Sequence, residues 1–386
     1  MALPFATQLL ADFGAEVISV EAVELRGDAG IPWRDRTGRH KKRIKAKLDD
    51  PRGQDLLRSM VANFDVFGEN FRPGVLDRYR LGYKDLHSLN EGLVYVSVSG
   101  SGYGHPDFLK SPWWQMAAYG PIGEAMRGSL HAIRRQGGAG SGFALGDMTS
   151  ALFSTIGILV ALRDRDRTGG GQYLDVAMTN SLFALAELPF VNHTLSPQRH
   201  GADEVPAPGF VAEAFAVADG EFQINVLYET HWAALCTLLG EPSWASAPRY
   251  VDTATRAESI RLELVPLLLS WAATQSKTDV ANACRAAGLA AAPINGPADI
   301  LAEAHLAARR VIDTVRRGDG SQLQVAGNPI KLSGVEAHRS PDDPAPVIAR
   351  PGQHTWEVRH HELGMLRAEF DALVADGIVA GDSLSD

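Results

Sequence analysis

The sequence predicts an α/β fold, with a βαβ-like first half followed by a smaller α+β domain. Two observations indicate the first half. Residues 5–13 (FATQLLADF) have the apolar spacing of a helix and lead through Gly14 into the β-forming run 15–21 (AEVISVE). Residues 147–163 give the strongest helix signal in the chain, end near three glycines and precede a second β-forming run at 172–178 (QYLDVAM).

The segments between these two units alternate in the same way. A helix with proline in its first turn is predicted over 51–63, and short strands are predicted over 65–70 and 93–100. The second of these strands runs into SGSGYG, and a strand that stops in glycines commonly delivers a loop that faces a ligand. Residues 25–52 are polar and charged, with a basic run at 40–47 (HKKRIKAK).

A stretch rich in proline, glycine and polar residues at 194–210 indicates a domain boundary. A hairpin is expected after it, over 210–227, with its turn at Asp219-Gly220. The helices predicted for the smaller domain and for the end of the chain cover roughly residues 230–239, 255–275, 278–287, 297–313 and 355–380.

Composition argues against several classes of function. The net charge of −9 is unsuited to general nucleic-acid binding, which needs a broadly basic face. Cys236 and Cys284 are the two cysteines of the sequence, and they predict a reduced, cytoplasmic protein without a disulfide framework. The longest apolar stretch, 151–162, is shorter than the ~20 residues that cross a bilayer, so no membrane partner is expected.

Asp147, after Gly146 and at the start of the long predicted helix, allows two interpretations. The simpler one is that its side chain caps the helix. In the other, the helix dipole and free N–H donors keep the carboxylate ionised and oriented, so that it attacks a thioester carbonyl as a nucleophile. The same donors would then hold the oxyanion that forms.

Two further segments suit a phosphorylated cofactor, although each has a simpler interpretation. The basic run 40–47 reverses the charge of an acidic protein locally and could contact the phosphates of such a cofactor, or it could be solvated surface charge. Residues 69–74 (ENFRPG) form either a structural turn or a turn that binds an adenine and its phosphate.

The sequence does not support three other kinds of site. The three glycines at 169–171 lack the spacing of a phosphate-binding loop, and the histidines form no metal-ligand pattern. The G-x-S-x-G motif of serine hydrolases does not occur.

Six segments, taken in order, match a known family: 5–21, 69–75, 93–102, 146–178, 291–296 and 351–364. They resemble the class III CoA-transferases, the group of formyl-CoA transferase, carnitine-CoA transferase and α-methylacyl-CoA racemase. The resemblance covers nearly the whole chain. One combination of motifs is specific for this family: ENFRPG, then GD at the start of a helix, then R-x-x-TG-x-GQ.

The resemblance implies an architecture. A Rossmann-like large domain would be built from both ends of the chain, residues 1–195 and 310–386, with a small α+β domain, 196–309, inserted between them. Two such subunits would form a homodimer, interlocked like the links of a chain.

The resemblance also implies a mechanism, with Asp147 as the catalytic residue. This carboxylate would attack the donor acyl-CoA to give an aspartyl mixed anhydride and free CoA thiolate; the acceptor acid would exchange in, and CoA would recapture the acyl group. Acyl-CoA and carboxylic acids are therefore the expected partners, and CoA thioesters are substrates, with no permanently bound cofactor or metal. The CoA contacts carried over from the family fall on Asn70, Phe71, Arg72, Arg78, Ala46, Lys47 and Lys110.

Two departures from the family pattern keep alternatives open. The racemase branch uses a histidine before this aspartate, and residues 109–120 (LKSPWWQMAAYG) contain none, which weakens an acyl-CoA racemase or epimerase function. The family opens with a strand and a V-L-x-x-G-P-like loop, of which only residues 1–4 (MALP) remain. A truncated, non-catalytic homologue that binds CoA is therefore the other alternative.

Overall fold

The computed structural model describes residues 1–24, 32–103, 112–116, 119–130, 142–195, 211–251, 256, 259–333 and 345–381. They form a mixed α/β fold with parallel sheets. The chain divides into two compact units. One combines Met1–Glu187 with Ala307–Asp386, and the other is Leu188–Leu306.

The first sheet of the larger unit pairs β1 (Val17–Glu21) with β2 (Lys41–Lys45) in parallel. Helix α1 (Ala2–Asp12) precedes β1, and the short helix α2 (Pro32–Arg36) precedes β2. The helix and strand expected at the start of the chain are thus confirmed.

Strand β2 lies in the basic run, where no strand was predicted. The strand forms because its basic side chains find partners far away in the sequence, which local pattern does not report. Lys41 Nζ donates to the carbonyl of Pro4 at 2.6 Å and to Thr7 Oγ1 at 2.8 Å. Arg43 is also buried and forms an ion pair with Glu21 at 2.6 Å. The charge of Arg43 is tolerated in this buried position because it is paired, whereas burial lowers the pKa of Lys41 to about 7.

The second sheet has three parallel strands in the order β3 (Val66–Glu69), β4 (Val94–Ser99) and β5 (Tyr173–Ala177). All six residues of β4 are buried, as expected for the central strand of a parallel sheet. All three strands were predicted. The helices between β2 and β4 are α3 (Pro51–Val61), α4 (Val75–Arg78) and α5 (Tyr83–His87).

Helix α6 (Gly120–Met126) is followed by the long helix α7 (Leu145–Thr168), which ends at Gly169 in a left-handed conformation with φ +80°. By length and composition, α7 is long and apolar enough to cross a membrane. In the fold, one side of it is buried, with residues such as Ile158 and Ala161 in the core beside β4. After β5 come α8 (Met178–Leu185) and α9 (Glu187–Leu195).

The sequence of α7 is apolar nearly all round, which predicts a buried helix, and this prediction is wrong for one side of it. One side of the helix presents large apolar side chains to solvent at positions that repeat every three or four residues. These form the α7 stripe: Leu152, Phe153, Ile156, Leu159 and Val160.

The smaller unit contains an antiparallel sheet of β6 (Ala212–Val217), β7 (Gly220–Asn225) and β8 (Ala290–Pro293), with the predicted hairpin between its first two strands. A π-helical turn lies at Ile260–Leu264. The helices are α10 (Glu229–Leu238), α11 (Val265–Ala272), α12 (Lys277–Ala286), α13 (Pro297–Leu301) and α14 (Ala304–Ala308), with 3-10 turns at Pro242–Ser246 and Pro248–Tyr250. The single helix expected over 297–313 is wrong, since α13 and α14 are separate and the chain turns into a strand at Ile312.

The end of the chain returns to the larger unit. It forms an antiparallel pair, β9 (Ile312–Arg316) and β10 (Gln322–Ala326), and then α15 (Thr355–Leu363) and α16 (Arg367–Ala375). Hydrogen bonds connect this return to the first part of the chain. Arg39 donates to the carbonyl of Ala326 at 3.1 Å, and the Lys47 amide donates to the carbonyl of Ile378 at 2.8 Å.

Candidate active site

Asp147 lies in the first turn of α7 and does not cap it. Ala144 occupies the N-cap position, and no side-chain capping bond forms there, so the interpretation of Asp147 as a helix cap is wrong. Its Oδ1 instead accepts a hydrogen bond from the Ala2 amide at 3.0 Å and lies 3.3 Å from the α-amino group of Met1. The side chain is 18% exposed, so the carboxylate is held by the protein and still reaches solvent.

Three helices begin around this carboxylate. Helix α7 carries it, α1 supplies the Ala2 amide, and α6 begins at Gly120, where a Cβ atom would lie 3.5 Å from Asp147 Oδ2. Helix N-termini carry partial positive charge and unpaired N–H groups. They therefore stabilise negative charge that develops beside the carboxylate during a reaction.

Tight packing under Gly146 fixes the start of α7. A Cβ atom at Gly146 would lie 2.8 Å from Met178 Sδ and 3.2 Å from Leu182 Cδ1, so glycine allows a closer approach of α8 to α7 than alanine would. Ser150 Oγ also donates to the Gly146 carbonyl at 2.6 Å. Because Met178 follows β5 directly, Asp147 lies at the carboxyl edge of the three-stranded sheet.

The ENFRPG segment forms a turn at the same edge of this sheet, directly after β3. The Phe71 amide donates to Glu69 Oε2 at 2.8 Å, and the Val75 amide donates to the Arg72 carbonyl at 3.1 Å. Gly74 has φ +79°, a left-handed conformation that favours glycine. The turn displays Phe71 with its side chain 47% exposed.

Glu69 is a buried carboxyl group beneath the turn. Burial raises its pKa to about 7, although hydrogen bonds from the Ser97 hydroxyl and the Phe71 amide act in the opposite direction. The nearby carboxylates Asp77 and Asp175 raise the pKa further. Glu69 therefore supports the turn from below without being exposed.

Direct contacts connect the turn with the surroundings of Asp147. Leu3, in the first turn of α1, packs against Gly68, where a Cβ atom would meet its side chain at 3.0 Å. Tyr103, after β4, donates its amide to Asp175 Oδ2 at 3.1 Å and its hydroxyl to Asp77. Residues that follow β3 and β4 thus lie together beside Asp175 of β5, toward the carboxyl ends of the parallel strands.

The predicted CoA contacts are only partly brought together. The side chains on the turn and on α4 are all exposed: Asn70, Phe71, Arg72 and Arg78. In the described part of the chain, neither arginine lies within 4.0 Å of an acidic oxygen. Lys47 is half-buried just after β2, Ala46 beside it is fully buried, and Lys110 lies outside the described residues.

Sequence reasoning missed several residues at this site. The proximity of Ala2 and Gly120 to Asp147 has no local signal in the sequence, because it joins distant parts of the chain. Arg36 on α2 was also missed. Its guanidinium donates to Met148 Sδ at 3.5 Å and lies 4.9 Å from the centre of the Phe5 ring.

Comparison with known proteins identifies the family. The model of the family described as CoA-transferase family III matches residues 1–355 of the chain. The chain belongs to CoA-transferase family III. This CoA-transferase is 31% identical to succinyl-CoA–D-citramalate CoA-transferase of Chloroflexus aurantiacus, over 98% of this chain and 95% of that protein. It is 27% identical to formyl-CoA:oxalate CoA-transferase of Streptomyces avermitilis, over 97% of this chain and 95% of that protein.

Solved structures agree with this assignment. A CAIB/BAIF family protein from Brucella suis superimposes on the CoA-transferase with a TM-score of 0.77 at 26% sequence identity, and the match covers 94% of this chain and 96% of that one. The family and the CoA-transferase activity predicted from the six segments are thereby confirmed.

Proposed function

We propose that this CoA-transferase moves CoA from an acyl-CoA donor to a carboxylic acid acceptor, with Asp147 as the nucleophile. The observation that carries the proposal is the position of this carboxylate beside the N-termini of three helices. Its Oδ1 accepts a hydrogen bond from the Ala2 amide at 3.0 Å. A carboxylate that is oriented and partly exposed has the properties of a nucleophile toward a thioester.

The reaction begins with attack of an Asp147 oxygen on the thioester carbonyl of the donor. A C–O bond forms and the C–S bond breaks, which gives a mixed anhydride and the CoA thiolate. The acceptor carboxylate then attacks the aspartyl carbonyl and displaces the donor acid, so that a second anhydride forms. The CoA thiolate attacks the acceptor acyl carbon of this anhydride, which releases the new thioester and restores the Asp147 carboxylate.

The helix N-termini assist the steps in which negative charge moves. Each addition places charge on a carbonyl oxygen, and preorganised N–H donors stabilise such an oxyanion more in the addition step than in the ground state. The Ala2 amide is the donor already in contact with Asp147.

CoA is a substrate in this proposal and is not permanently bound. Its adenine and phosphates would contact Asn70, Phe71, Arg72 and Arg78, together with the Ala46–Lys47 stretch and Lys110. The exposed ring of Phe71 is suited to stacking, and Arg72 and Arg78 are suited to phosphate because both are exposed and, among the described residues, unpaired.

The proposed architecture is a Rossmann-like large domain, residues 1–195 and 310–386, with the small domain 196–309 inserted, in an interlocked homodimer. The α7 stripe supports association with a second copy, because a contiguous exposed apolar surface is typical of protein–protein interfaces. Cys236 and Cys284 are free and buried thiols, in keeping with a cytoplasmic location.

Substitution of the nucleophile tests the proposal. Asp147→Asn should reduce transfer at least about 10³-fold, because an amide cannot form the anhydride. The measurement is the appearance of acceptor thioester by liquid chromatography, with a panel of acyl-CoA donors and acids. Asp166→Asn, at the exposed far end of the same helix, is the control and should retain transfer. Full transfer by the Asp147→Asn enzyme would contradict the mechanism.

A further inference from the structure

Arg36 is placed between the two helices that meet at Asp147. Its guanidinium lies 4.9 Å from the ring centre of Phe5, on α1, and 3.5 Å from Met148 Sδ, on α7. The side chain is half-buried by these contacts. Its aliphatic and aromatic neighbours fix the position of the guanidinium without neutralising its charge.

Among the described residues, Arg36 lacks the acidic partner that Arg39 and Arg43 have. In the part of the chain that the structure describes, no carboxylate oxygen lies within 4.0 Å of it. Arg39, by contrast, forms a buried ion pair with Asp12 at 2.6 Å, and Arg43 forms one with Glu21 at 2.6 Å. Burial, and then the positive charge of Arg39, lower the pKa of Arg36.

A partly desolvated guanidinium without a counterion is unfavourable, and an anionic ligand removes that cost. Arginine is well suited to this role, since its planar donors bind a carboxylate in a bidentate manner.

The position of Arg36 relative to Asp147 limits which anion can bind. Ala2 and Phe5 lie three residues apart on one side of α1; the amide of the first contacts Asp147, and the ring of the second contacts Arg36. On α7, Met148 directly follows Asp147. The guanidinium therefore contacts the residue next to Asp147 on α7 and a residue about one helical turn from Ala2 on α1. A short molecule with one end at Asp147 can bring a second acidic group to Arg36.

We propose that Arg36 binds a second carboxylate on the acid that exchanges at Asp147, so that the enzyme selects short dicarboxylic acids. The assignment rests on the proposed function, since it requires the acid to react at Asp147. Arg36 then acts as a specificity residue: it holds the distal carboxylate while the proximal one attacks the aspartyl carbonyl.

Self-exchange with a matched pair of acids tests this assignment. Succinyl-CoA with ¹³C-labelled succinate and butyryl-CoA with ¹³C-labelled butyrate differ only in the distal group, and mass spectrometry follows entry of the label into the thioester. The unaltered enzyme should prefer succinate about 10- to 100-fold in kcat/KM, since hydrogen bonds to a charged group contribute that much. Arg36→Met should remove the preference and leave butyrate exchange within a few-fold of its original rate.

Butyrate exchange shows in the same sample that the variant is folded and active. Arg36→Lys should restore part of the preference, because lysine keeps the charge without the bidentate geometry. Arg167→Met, at the exposed far end of α7, should leave the preference intact.

The outcomes separate the two proposals. If the unaltered enzyme exchanges both acids at equal rates, or if Arg36→Met still prefers succinate, the assignment of Arg36 is overturned while the transfer mechanism stands. If the unaltered enzyme exchanges neither acid, selection of short dicarboxylic acids by Arg36 is likewise overturned, whereas exchange of both acids by Asp147→Asn would contradict Asp147 as the nucleophile and so the proposed function.

Discussion

At the scale of single residues, Glu69 makes the stability of the protein depend on pH. Burial raises its pKa to about 7, whereas the ordinary value in an unfolded chain is about 4.3. Between these values the folded protein binds more protons than the unfolded chain. The free energy of unfolding should therefore fall as the pH rises from about 4.5 to 7.

Glu69→Gln removes this titration and keeps both hydrogen bonds, since its carbonyl accepts from Phe71 and its amide donates to Ser97. The variant should gain about 2–4 kcal/mol over the unaltered protein at pH 8, and much less at pH 4.5. Urea denaturation at several pH values measures this difference. Parallel pH profiles for the two proteins would contradict the account of Glu69.

At the same scale, local features of the site could be predicted from the sequence, whereas contacts between distant residues could not. The position of Asp147 at the start of a helix could be predicted from local pattern. Its contact with Ala2 could not, because the two residues are 145 positions apart and no periodicity reports a pairing of that kind. The same reason explains why Arg36 was missed, since its contacts to Phe5 and Met148 form only on folding.

At the scale of elements, helix α15 carries a charge in its buried face. Arg359 is fully buried, and burial lowers its pKa to about 10. Its Nη1 contacts Met60 Sδ at 2.8 Å, while Nε and Nη2 have no hydrogen-bond partner among the described residues. Such an uncompensated charge destabilises the packing of α15 against α3.

Arg359→Met should therefore raise the free energy of unfolding, by about 1–4 kcal/mol, because methionine fills a similar volume without a charge. The measurement is urea denaturation at neutral pH. The control is Arg309→Met, at an exposed position, which should change stability by less than about 0.5 kcal/mol. A loss of stability in Arg359→Met would mean that a partner neutralises the guanidinium.

Most elements could be predicted from apolar periodicity, and the exceptions have physical causes. Strand β2 lies in a run of lysine and arginine that becomes strand-like only because Lys41 and Arg43 find distant partners. Helix α7 is apolar on both sides, and its sequence does not distinguish a side that packs against β4 and β5 from a side that faces outward.

At the scale of the whole molecule, the α7 stripe predicts self-association. Its apolar side chains remain exposed, with Ile156 at 57% and Val160 at 63%, and an interface between two copies would bury them. Ile156→Lys introduces a charge at the middle of this surface, and burying it unpaired would be unfavourable.

Sedimentation velocity should show a dimer for the unaltered protein at micromolar concentration and a monomer for Ile156→Lys. Leu89→Lys, at an exposed apolar position outside the stripe, is the matched control and should remain dimeric. A monomeric unaltered protein would contradict the role given to the stripe.

The most direct test of the account is to trap the covalent intermediate on Asp147. The enzyme is mixed with an acyl-CoA donor and hydroxylamine, which attacks the aspartyl carbonyl of the anhydride, releases the free acid and leaves an aspartyl hydroxamate. Peptide mass spectrometry should find this modification on Asp147 only when the donor is present. Unmodified Asp147 under conditions where CoA transfer proceeds would contradict the central claim.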